Sequence, residues 1–261
     1  MLICQIKYDS FCVNYYLWFQ KKPSSTINCL KINNMSITNS TFLYLQDLKN
    51  NNTREWFSTN RKRYDVVKSD FEEIIKELIG SIGEFENMTG VEVKHCNYRI
   101  ARDVRFTHDK APYKSWLSAS FSEGGRKSGR VDYYLHISEN ESFLGGGMWA
   151  ATPEQLAKFR QEIDYNAQEF KAIIYEPNFV NTFGEVQGEA VKSSPKGYSK
   201  DHPEIELLRF KQVFFMHNFT KEEVCASDFV NNVTQMAKTL KPFLDYFNVL
   251  FFEHQEPVVK L

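Results

Sequence analysis

The chain has 261 residues, 42% of them hydrophobic and 25% charged, with 22 Phe and 13 Tyr, enough apolar material for one large core. Its 32 Lys and Arg nearly balance 33 Asp and Glu, which argues against a globally basic nucleic-acid binder or a polybasic membrane protein and leaves any anion site to a local concentration of charge. Five cysteines, at 4, 12, 29, 96 and 225, follow no paired or zinc-binding spacing. Cys96 and Cys225 therefore read as reduced, small hydrophobes of a cytoplasmic protein.

Residues 1–34 follow no helix or strand period. The apolar run Phe11–Phe19 is too short for the ~20 residues of a membrane helix, and neither a basic leader nor a small-residue cleavage site frames it. They read as an extension preceding a true start at Met35, so that residues 35–261 form one domain. Phe42, Leu45 and Leu48 predict a short helix stopped at Asn50-Asn51-Asn52. Phe57, Tyr64, Phe71, Ile75, Leu78 and Ile82 predict a long one running to about Gly83. Strands are expected over Val91–Phe106, Ser115–Ser122, Arg130–Ser138 and, more weakly patterned, Ser142–Trp149. A glycine-rich hairpin connection is expected at residues 123–129.

Thr152, Pro153 and Gln155 have the spacing of a capping box with proline at the first helical position. Leu156, Phe159, Ile163, Phe170 and Ile174 then make the apolar face of a third helix. A short helix is expected after Pro203 and a strand over Lys211–Phe219. A last helix is capped by Ser227 and bent near Pro242, with Phe229, Val233, Met236, Leu240, Phe243 and Phe247 on its face. Consecutive strands joined by short turns imply an antiparallel sheet. The expected fold class is α+β, an antiparallel β-sheet covered by helices from both ends of the chain.

Between Lys94 and Lys114 lie six basic residues and two acidic ones. On a strand, Tyr98, Ile100, Arg102, Val104 and Phe106 would share one face, and Arg99, Ala101, Asp103 and Arg105 the other. Arg102 would then point inward, where a guanidinium needs carboxylate or ligand partners. The functional reading is a binding module for a phosphate- or carboxylate-bearing small molecule or nucleic-acid end, built from Arg99, Arg102, Arg105, Lys110 and Lys114 with Lys196 and Lys211. The alternative is a hydrolase-like enzyme, in which Asp103, Asp109 or His202 handles protons or metal. A closed arginine network with function through a protein partner is the third reading. Neither HExxH nor another helical metal pair occurs, so no metal ligands are assigned, and the residues leave the cofactor unknown. Ser193-x-x-Lys196 lacks the companion motifs of a serine acyl-enzyme. Gly145–Gly147 lacks the lysine of a phosphate loop and reads as a tight bend. Trp56 and Trp116 read as core or as pocket walls.

Several ordered motifs carry a resemblance. They are Asn51-Asn52-Thr53-Arg54-Glu55-Trp56-Phe57 with Asn60-Arg61 and Tyr64, then Arg99-Ile100-x-Arg102-Asp103-Val104-Arg105-Phe106 and Asp109-Lys110-x-Pro112-Tyr113-Lys114. Gly145-Gly146-Gly147-Met148-Trp149, Pro195-Lys196-Gly197-Tyr198, Asp201-His202-Pro203 and Arg209-x-Lys211 follow. Together, over about residues 40–250, the chain resembles the bacterial and fungal family known as domain of unknown function 2461. Thr53 stands where that pattern has asparagine, and residues 1–34 match nothing in it. The resemblance implies the fold unit and no defined chemistry.

Overall fold

The computed structural model describes residues 37–105 and 108–253. The expected extension over residues 1–34, the start at Met35 and the burial of Phe106 lie outside them. Helix α1 (Asn39–Asn50) buries Phe42, Leu45 and Leu48 as their spacing requires, together with Tyr44. The long helix expected from Phe57 is instead two, α2 (Arg54–Thr59) and α3 (Arg61–Ile82). The break falls at Asn60, whose side-chain amide donates to the Trp56 carbonyl at 3.0 Å. Asparagine satisfies a helix end more readily than a helix interior. The Thr53 hydroxyl caps α2 by accepting from the Trp56 amide at 3.2 Å.

The expected strand over Val91–Phe106 is not formed. Glu92 and His95 close a reciprocal cap around a one-turn helix, α4 (Val93–Cys96). Beyond it the chain runs beside the first strand and the segment that leads into it, through two isolated bridges, Asn97 with Ala119 and Ala101 with Tyr113. Local caps and side-chain pairs occupy groups that a continuous ladder would use. The two-residue alternation nevertheless survives, with Ile100 buried, Arg99, Ala101, Asp103 and Arg105 exposed, and Tyr98, Arg102 and Val104 half-buried.

Four strands form the sheet of the described residues, β1 (Trp116–Phe121), β2 (Tyr133–Ser138), β3 (Ser142–Met148) and β4 (Val213–Phe219). They lie in chain order, each antiparallel to the next. The Thr152–Gln155 capping box opens α5 (Pro153–Ile174), and α6 (Pro177–Phe183) follows it. One-turn helix α7 (Ile205–Leu208) precedes β4, and α8 (Lys221–Cys225) follows it. The last helix, α9 (Phe229–Asn248), starts after Asp228 and not at Ser227, contains Pro242, and continues into a π-helical turn, Val249–Glu253.

One face of the sheet carries Leu117, Ala119, Phe121, Tyr133, Leu135, Ile137, Leu144, Val213 and Phe215, all buried. Helix α3, from the N-terminal part of the chain, and α9, from the C-terminal part, pack there. Phe243 of α9 meets Phe215 edge to face at 4.9 Å between ring centres. Each such buried ring contributes roughly 2–3 kcal/mol through apolar burial. The expected α+β architecture, with helices from both ends of the chain, is the observed one.

Candidate functional site

Because side chains alternate along a strand, burying one face leaves a second set pointing the other way. On β1 these are Trp116, Ser118 and Ser120; on β2, Tyr134 and His136; on β3, Phe143, Gly145 and Gly147; on β4, Phe214 and Met216. With Tyr98, Lys114, Asp132, Gly146 and Trp149 they line a cavity of about 500 Å³ on the sheet face away from α9. That size suits a small molecule.

The glycines form the floor. A Cβ added to Gly145 would lie 2.6 Å from the Phe215 carbonyl oxygen, and one on Gly147 would lie 2.4 Å from that of Val213. Gly147 also has φ of +136°, a conformation other residues rarely adopt. The walls are aromatic. Trp116, His136 and Phe143 form a stacked row across three adjacent strands, with ring centres 5.7 and 5.0 Å apart. Trp149 and Phe214 meet at 4.5 Å on the other side, and Trp149 is 60% exposed.

Polar groups sit at defined places in this apolar setting. The Tyr98 hydroxyl lies 3.1 Å from that of Ser120, and Ser120 hydrogen-bonds to Asp132. Burial pushes the Asp132 carboxyl up to about 6. Burial, then the nearby Lys114 charge, pushes the His136 imidazole down to about 4. At neutral pH the histidine is therefore uncharged and the aspartate is mostly ionised.

Cations gather at the β1 side. The Lys114 ammonium lies over the rings of Tyr98 and Trp116, and the Arg126 guanidinium is 5.6 Å from the Tyr98 ring centre. Burial, then Arg99, then Arg126, holds Lys114 below the usual lysine range. Among the described residues Arg99, Lys114 and Arg126 form no ion pair. Four carboxylates of this region are engaged elsewhere, Glu92 by Lys94, Asp103 by Arg105, Asp109 by Arg102 and Glu123 by Arg130, while Asp132, in the cavity itself, forms no ion pair among the described residues. Asp103 exerts a field on Arg99 but is gripped by the Arg105 fork at 2.9 and 2.6 Å.

Of the cations expected from sequence, then, Lys114 lines the cavity and Arg99 acts on it through charge. The others are placed differently. Arg102 binds the Asp109 carboxylate and donates to the Ala111 carbonyl at 3.3 Å. Lys110 donates to the Val104 carbonyl at 3.0 Å. Lys211 pairs with Glu189 at 3.0 Å, and Lys196 is exposed; neither lines the cavity. Both ring nitrogens of His202 are engaged, Nε2 with Asp164 at 2.9 Å and Nδ1 with the Glu204 amide at 3.0 Å. Neither Asp103, Asp109, His108 nor His202 belongs to a group of three metal-type ligands, since none exists among the described residues. Trp116 is a pocket wall, whereas Trp56 packs on the core.

Sequence reasoning missed Arg126, hidden in a hairpin read only for its glycines. It also missed Asp132, Ser118 and Ser120. Asp132 and His136 were visible as the polar phase of β2, a pattern that ordinarily means solvent.

Fold and site thus define an α+β protein with a ligand-sized cavity on the sheet face away from α9. Residues 40–246 match the family described as "Conserved hypothetical protein (DUF2461)", and the chain belongs to that family. No curated protein and no solved structure matches the chain.

Proposed function

We propose that the protein is a binding module for a small molecule that joins a planar ring to a phosphate or carboxylate. The observation that carries this reading is a set of three cations that form no ion pair among the described residues, Lys114 in the wall of an aromatic-lined cavity and Arg99 and Arg126 near enough to lower its proton affinity. Like charges gathered around a half-buried ammonium repel one another, and an anion removes that repulsion. Stacked rings on the walls favour a flat apolar body, and the glycine floor leaves room for it.

The test is thermal unfolding with phenyl phosphate at constant ionic strength, compared with inorganic phosphate and with benzyl alcohol. Free ligand at 100 times its dissociation constant stabilises by about 2.7 kcal/mol, a rise of roughly 5–10 °C for a domain of this size. Phenyl phosphate should act at lower concentration than either control. If none of the three raises the melting temperature, the reading is lost.

One observation favours the hydrolase-like alternative, the Asp132 carboxyl in the same cavity with its proton affinity raised towards neutrality. Release of phenol in the same samples would support it. Cys96 and Cys225 are free thiols, which supports a cytoplasmic location. Among the described residues, no helix is long and apolar enough to cross a membrane.

A further inference from the structure

We infer that the ligand of this cavity carries, opposite its anionic group, a ring edge of adjacent N–H donors that pairs with Asp132, and that its class is a guanine-type nucleoside monophosphate. The inference rests on the binding reading above and extends it to the other end of the site.

Asp132 lines the cavity and has no ion-pair partner among the described residues. Its hydrogen bonds are with Ser120 and its own backbone amide. A carboxylate has about four acceptor positions, so acceptor capacity remains. An ionised carboxylate inside an apolar cavity needs a cation or donors. The cations are close by, yet they do not meet it. The Tyr98 ring carries Lys114 and Arg126 against its face, while its hydroxyl contacts Ser120, which bonds Asp132. A tyrosine ring and a serine hydroxyl therefore hold opposite charges apart where a purely structural arrangement would pair them.

The cavity is thus bipolar: Lys114 and Asp132 lie beyond opposite ends of the paired stretch of β1 and β2, with the rings of Tyr98, Trp116 and His136 between them. Its complement is a molecule with donors at one end, an anion at the other and a ring system between. An amino acid does not fit, because its charges sit one carbon apart. A nucleoside monophosphate does fit. Its base stacks on the aromatic walls, its phosphate reaches the cations, and the sugar separates the two.

Among bases, guanine presents N1–H and the 2-amino group side by side, two parallel donors matched to the two oxygens of a carboxylate. Adenine and cytosine place a ring-nitrogen acceptor beside their amino group, which an ionised carboxylate repels. Hypoxanthine keeps N1–H and loses the amino group.

The experiment is titration of the full chain with guanosine, inosine and adenosine monophosphates and with phenyl phosphate, followed by calorimetry. It is repeated with Asp132→Asn and Lys114→Met. In the wild type, guanosine monophosphate should bind about tenfold or more tightly than adenosine monophosphate, with inosine monophosphate between them. Asp132→Asn should abolish that preference. Lys114→Met should weaken all four ligands. Equal affinity of the wild type for the three nucleotides overturns the inference while leaving the binding module standing. So does an unchanged guanine preference in a folded Asp132→Asn protein. Failure of all four ligands to bind the wild type overturns both. The nucleotide comparison within the wild type needs no variant to fold.

Discussion

The ammonium of Lys114 lies 5.2 Å from the centre of the Tyr98 ring, and it forms no ion pair among the described residues. The ring's negative face offsets part of the cost of burying the charge, a contribution of about 0.5–2 kcal/mol for contacts of this kind. The remaining cost shows in the lowered proton affinity of the lysine, whose causes are burial and the charges of Arg99 and Arg126. Lys114→Met keeps most of the length and removes the charge. Its expected outcome is a melting temperature at neutral pH equal to or above that of the wild type, with the shift produced by phenyl phosphate lost. Scanning fluorimetry reads both. A destabilised Lys114→Met protein that still responds to the ligand would mean that the lysine belongs to the fold and not to the site.

Asp132 and His136 make opposite contributions to stability over one pH window. The aspartate has its folded value raised from 3.8 to about 6. Between pH 4 and 6 the native state therefore holds the extra proton, and stability from this group is lost as pH rises. The histidine has its folded value lowered from 6.5 to about 4. Here the unfolded chain holds the extra proton, and stability is gained as pH rises. Each effect is on the order of 2–3 kcal/mol across the window, so in the wild type they largely cancel. Cys96, Tyr98 and Tyr134 face the aspartate and Lys114 faces the histidine, and none of these groups titrates in that range. Asp132→Asn should stabilise the protein at pH 8 and, relative to wild type, lose stability as pH falls from 6 to 4. His136→Gln should show the opposite difference. Urea unfolding at closely spaced pH values checks the sign, and parallel curves for all three proteins would refute the coupling.

Gly146 is held on the helix side of β3. A Cβ there would lie 2.6 Å from the Asp132 carbonyl oxygen and 2.9 Å from a Leu244 methyl of α9. The methyl can move, but the carbonyl belongs to the backbone. Gly146→Ala should therefore destabilise by about 1–3 kcal/mol, the scale of an overpacked core, and lower the midpoint of urea unfolding. A neutral outcome would mean that β2 and β3 separate at little cost.

Most of the fold is legible in the sequence because it rests on local rules. Thr152 and Gln155 cap α5 within four residues, and Tyr133, Leu135 and Ile137 alternate in five. The failure at Val91–Phe106 is local as well, since the Glu92–His95 cap competes with an extended chain and wins. The site is harder to read. Lys114 and Arg99 stand out by charge density, but Trp116, His136 and Phe143 become neighbours only through strand register. Asp132 occupies a polar phase that would face water if the Tyr98 segment did not cover it. Arg126 reaches Tyr98 because Gly125 packs against His95, where a Cβ would lie 2.8 Å from the His95 carbonyl oxygen. None of these relations is encoded within one element.

Arg102 stands in phase with the apolar residues of its segment, and its surroundings give it a role that can be separated from that of Lys114. Its side chain is 21% exposed, and its partner Asp109 is 66% exposed. The Arg102 amide donates to the Pro112 carbonyl at 2.9 Å, and its guanidinium donates to the Asp109 carboxylate and the Ala111 carbonyl. Asp109 in turn accepts from the Ala111 amide at 2.9 Å. That contact first, and Arg102 second, holds its carboxyl below the usual range. These contacts tie the two arms of the turn between Arg102 and Pro112 to each other, next to the Lys114 that enters the cavity. Arg102→Ala removes the guanidinium and leaves the carboxylate in water, so the penalty is that of lost hydrogen bonds and not of an orphaned buried charge. The melting temperature should fall by about 2–4 °C, and protease cleavage within residues 103–111 should accelerate. The increment produced by phenyl phosphate should match that of the wild type. The reverse pattern, an unchanged melting temperature with the ligand increment lost, would move the anion site from the cavity to this turn.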